Sequence, residues 1–99
     1  MNVEESELVG KAIDGIAEVF EQHPGGVFDP AALTKLDHHA YAVRIRTTDE
    51  TCREKLGYIQ DRAAVYFSRT GCEAYRGEID EAVSALRARF REMQSEAAW

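Results

Sequence analysis

The sequence predicts an all-α fold, a compact four-helix bundle or a related helical array, in a single helical domain over residues 1–99. Three observations lead there. Apolar residues recur at threes and fours in four separate stretches. Each stretch opens on helix-capping chemistry. No two alternating apolar runs exist that could pair as a sheet. Together the caps and stripes assign about 75% of the chain to helix.

The first helix is expected from about residue 3 to 22. Asn2 and Glu5 have capping-box spacing, and Leu8, Val9, Ala12, Ile13, Ile16, Val19 and Phe20 follow as one apolar stripe. His23-Pro24-Gly25-Gly26 ends it, because a proline disfavours helical dihedrals in the residue before it and two glycines release the chain into a turn. Asp29 then caps a second helix with Pro30 pre-set at its first position, and Leu33, Leu36, Ala40 and Val43 form its stripe. Within it Tyr41, Val43 and Ile45 also alternate as a strand would, but a lone strand leaves its backbone groups unpaired, so residues 41–46 are read as helix. Thr47-Thr48-Asp49-Glu50 opens a third helix whose stripe of Cys52, Leu56, Ile59, Ala63 and Tyr66 or Phe67 runs to about Arg69. Thr70-Gly71-Cys72-Glu73 opens the fourth, with Tyr75, Ile79, Ala82, Val83, Leu86, Phe90 and Met93 facing inward to about residue 95. Gly57 and Gly77, inside the last two helices, are expected to allow close helix approach.

Ninety-nine residues with 44% hydrophobic content suffice for one soluble core and exclude a disordered tail. The longest uncharged stretch, Gln22 to Phe28, holds only two apolar residues, which excludes a membrane span. Met1 leads into Glu4, Glu5 and Glu7 with neither a basic nor an apolar leader segment, so a cytoplasmic location is expected. The net charge of -6 resides entirely in residues 1 to 37, which carry eight acids against Lys11 and Lys35. Such a chain disfavours non-specific contact with nucleic acid or anionic lipid, since neutralising phosphates takes a concentrated basic surface.

Catalytic and metal chemistry find little footing. His38 and His39 diverge by about 100° on a helix, and no Glu-x-x-His or His-x-x-x-His spacing occurs, so no metal and no cofactor is expected. Cys52 and Cys72 lie 20 residues apart near opposite ends of the third helix, so both thiols are expected free. Cys72 falls where a helix N-terminus would favour a thiolate, but no histidine base can be assigned to it.

The richest constellation is on the third helix, where Lys55, Tyr58, Arg62, Val65 and Arg69 recur at threes and fours beside the core stripe. Cations interleaved with an aromatic suit either a protein interface or an anionic ligand, and the same arginines could simply pair with Asp61, Glu73 or the acidic first helix. Tyr41 and Ile45 lie off the second helix's core stripe, as Tyr58 and Val65 lie off the third's. These four predict apolar surface left over by a four-helix core, covered in a homodimer by the same patch of a second copy. The function expected is therefore a non-enzymatic protein-interaction module, an adaptor, chaperone-like subunit or inhibitor. The alternative is a small helical binder of, or enzyme acting on, an anionic metabolite or nucleotide through Lys55, Arg62 and Arg69.

Overall fold

The computed structural model describes residues 2–70 and 73–97. Helices α1 (Val3–Gln22), α2 (Pro30–Arg44), α3 (Glu50–Tyr66) and α4 (Glu73–Ala97) take up 82% of them, with no strand among the described residues. The all-α bundle expected from periodicity is the fold observed. Residues 41–44 complete α2 and Ile45 caps it, its N–H donating to the Tyr41 carbonyl.

Caps begin the helices largely as their side chains dictate. Asn2 accepts from the Glu5 N–H at 2.8 Å, and Asp29 from the Ala32 N–H at 3.0 Å. At α3 the cap is Asp49 rather than Thr47, accepting from the Cys52 N–H at 3.0 Å. Thr47 sits two residues ahead of the cap, too early to reach an orphan donor of that helix, and its hydroxyl instead accepts from the Asp49 N–H. The α3 helix stops at Tyr66, where Phe67 turns out of helical dihedrals to enter the core. Arg69 therefore lies beyond the helix, off the stripe that the sequence extends to it. Gly71 and Cys72, the centre of the fourth expected cap, lie outside the described residues, and so does the reading of Cys72 as a free or reactive thiol. Cys52 is free and buried.

Neighbouring helices run antiparallel in an up-down sequence. Along α1 and α4, Ser6 meets Gln94, Asp14 meets Arg87 and the Phe20 carbonyl meets Arg76. Along α3 and α4, Cys52 meets Met93 and Arg62 meets Glu78. Helices α1 and α3 each pack on both α2 and α4 and stand diagonally to one another. The result measures 47 × 21 × 19 Å.

The core is one cluster fed by all four stripes, with Ile16, Leu36, Ile59, Phe67, Ile79 and Leu86 fully buried. At one end Phe20 stacks on Phe67 at 5.5 Å between centroids, and Tyr66 meets both rings edge-on. Gly25 leaves room for the Tyr66 ring, and Gly26, at φ 77°, turns the loop so that its N–H donates to the Tyr66 carbonyl at 2.9 Å. Leu8 departs from its expected place in the stripe and is half exposed, because it lies on the edge of α1 rather than its inner face. The glycines expected to permit close approach are also not the ones that do. Gly77 faces open space and Gly57 only the tip of Arg44, whereas a Cβ on Gly15 would come within 2.5 Å of the His39 ring. The notch at Gly15 is what lets α1 and α2 close.

Candidate interaction surfaces

The α3 stripe forms a seam with α4 as far as Arg62. The Arg62 Nε donates to Glu78 at 3.1 Å, its guanidinium lies 4.6 Å above the Tyr58 ring, and the Tyr58 hydroxyl reaches the same carboxylate at 3.4 Å. Hydrogen bonding to Tyr58 and Glu78 holds the Arg62 guanidinium above its ordinary pKa. Lys55 lines an open groove of about 260 Å³ with Tyr58, Glu78, Glu81, Ala82 and Ala85. Its two carboxylates match the two nearby cations, so the row read in the sequence as a cationic stripe stands in a balanced groove. Val65 is one-third exposed at the far end of α3, and Arg69 is exposed past it.

Tyr41 and Ile45 occupy a different surface. They stand one turn apart on the outer side of α2, 64% and 55% exposed. Asp37 and Arg44, on the inner edge of α2, both hydrogen-bond Gln60 of α3, at 3.0 and 2.7 Å. Gln60 and Tyr58 point about 200° apart around α3. The edge of α3 that meets α2 is thus the opposite one from the edge that carries Tyr58. Tyr41 and Ile45 do not join Tyr58 and Val65 in the single patch the sequence predicts.

Three further features were missed. Val27 and Phe28 are 52% and 66% exposed in the loop between α1 and α2. Their position between Gly-Gly and Asp-Pro was the available signal: two apolar residues in a turn have no stripe to join. Second, Asp49 caps α3 while accepting from Arg89 Nε at 3.2 Å and Nη2 at 2.8 Å, and Arg89 also reaches Glu92 at 3.0 Å. The Arg89 guanidinium first, and the Cys52 N–H second, pull the Asp49 carboxyl down to about 2. Third, His39 is inserted at Gly15, where desolvation, aided by His38 and opposed by Glu18, lowers its pKa.

Nucleophilic and metal chemistry gain no site from these placements. Burial and the neighbouring Asp49 push the Cys52 thiol up to about 11, and its Sγ contacts Met93 Sδ at 3.7 Å. His38 is exposed while His39 faces α1. No group of three or more metal-ligating His, Cys, Asp or Glu side chains occurs among the described residues. No helix among them is long and apolar enough to cross a membrane.

Comparison of the chain with protein-family models, with curated proteins and with solved structures returns no match.

Proposed function

We propose that this chain is a non-enzymatic helical interaction module, of the adaptor, chaperone-like subunit or inhibitor kind, which works in the cytoplasm, binds a protein partner and associates with itself. The outer side of α2 carries the reading. The core closes without Tyr41 and Ile45, since Ala32, Leu36, Ala40 and Val43 already bury the inner side of that helix. Apolar area left in water costs about 25 cal/mol per Å², and a strip of two large side chains flanked by polar residues suits a partner's apolar anchor. The alternative, an anionic metabolite held by Lys55, Arg62 and Arg69, draws less support. Glu78 engages Arg62, Glu81 stands across the groove from Lys55, and Arg69 lies off the helix.

The test is capture of partners from the native source by the wild-type chain and by a Tyr41→Glu, Ile45→Glu double variant. Both positions are exposed, so the variant is expected to keep its helical circular dichroism and lose a specific co-purifying protein. An identical set of captured proteins from a folded variant would remove the α2 surface from the reading.

A further inference from the structure

We infer that the α3–α4 face is the surface through which two copies of this chain pair, about a two-fold axis running parallel to the helices. The inference rests on the reading of the chain as an interaction module and assigns the self-association to one face.

The face carries both halves of a complementary contact. On α3 stands a ridge of Lys55, Tyr58 and Arg62, and between it and α4 runs a trough whose α4 side is made by Glu78, Glu81, Ala82 and Ala85. A two-fold parallel to the helices sets the α3 ridge of each copy over the α4 side of the other's trough at equal height. Arg62 and Glu78 are level with one another, because they already meet within one chain at 3.1 Å. The same axis therefore brings Arg62 of each copy level with Glu78 of the other, and the Tyr58 ring over the alanines. The pair is exposed on both sides, so its members can be shared across an interface without first being pulled from a buried site.

Charge favours a second copy as the occupant. Lys55 in the groove and Arg62 at its border balance Glu78 and Glu81, so the groups that would meet across the axis add nothing to the repulsion that a net charge of -6 imposes. The acidic α1 stands diagonally to α3, away from the axis. Size sets the strength. Helix α3 is about 25 Å long, so the face offers roughly 500 Å² a side, near the lower end for a specific interface. The dimer is accordingly weak, and its population depends on concentration.

Light scattering coupled to size exclusion, from about 1 to about 200 µM, is expected to show the mass rising from 11.1 kDa towards twice that value. Ala85→Arg fills the trough and is expected to weaken the dimer about tenfold or more. Arg62→Glu alone and Glu78→Arg alone place like charges across the axis and are each expected to remain monomeric. Mixing those two variants restores opposite charges at both contacts and is expected to restore the dimer. Circular dichroism checks that each variant is folded, and the charge-swap mixture remains decisive if Ala85→Arg is not. A constant monomer mass overturns the inference and leaves partner capture by Tyr41 and Ile45 unaffected. A dimer that withstands all three substitutions, or one lost with Tyr41→Glu and Ile45→Glu instead, overturns the assignment to this face while self-association stands.

Discussion

The α1–α2 seam and the α3–α4 seam close on the same core by opposite means. Between α1 and α2 a side chain is missing: Gly15 admits the His39 ring, and the polar contact of this hairpin lies in its loop, where His23 Nδ1 and Asp29 meet at 3.0 Å. Between α3 and α4 side chains reach across, through Arg89 to Asp49 and through Arg62 to Glu78. The first arrangement depends on shape and leaves no slack for added volume. The second depends on flexible charged side chains, which tolerate rearrangement, are screened by salt and contribute modestly when exposed. One seam is thus rigid and the other adaptable, and the adaptable one is where the two-fold contact is placed.

Gly15→Ala should give the largest effect. The added methyl collides with His39, and destabilisation of about 1–2 kcal/mol is expected even though alanine is the better helix former. In a His39→Ala background the collision is gone, so the same substitution should become neutral or stabilising. Urea denaturation of the four proteins of this double-mutant cycle measures the sign change; Gly15→Ala destabilising equally in both backgrounds would show that the notch is not what fits the seam.

Acid should then loosen the α1–α2 seam first. The folded state lowers the pKa of His39 below its ordinary 6.5. The unfolded chain therefore takes up that proton first, and the contribution is present above about 6.5 and lost as pH falls through the lower folded value. Asp49, held at about 2 against an ordinary 3.8, contributes above 3.8 and loses that contribution as pH falls towards 2. Melting temperature should consequently fall in two stages. His39→Gln should flatten the upper one. Asp49→Ala should remove its share of the lower one and cost about 1 kcal/mol at neutral pH through the lost α3 cap. A single acid transition unaffected by His39→Gln would mean that its ring is not desolvated at the seam.

The smallest effect is expected at Gly77, on α4, where a Cβ would meet nothing within 4 Å. Gly77→Ala should stabilise the bundle by up to about 1 kcal/mol by helix propensity alone. Thermal melts provide the check, and a loss of stability would reveal a backbone requirement at that turn.

The four helices, most of their starts and nearly all of their buried positions could be read from the residues. Those properties are local: a capping oxygen acts over three residues, and an inward stripe repeats each turn. The absence of a pairing strand was enough to place Tyr41 and Val43 in a helix. The site was only partly legible. Lys55, Tyr58 and Arg62 do share one edge of α3, as their spacing requires, but spacing carries no information about what lies across from it. That α4 sets Glu78 and Glu81 there, turning a cationic stripe into a balanced groove, depends on how the helices are rotated about their axes. Packing sets that rotation, and it also separates Tyr41 and Ile45 from Tyr58. The choice of Gly15 rather than Gly57 or Gly77 as the point of closest approach is tertiary for the same reason. A glycine only permits an approach, and whether one occurs depends on which side chain, here His39, the neighbouring helix brings opposite it.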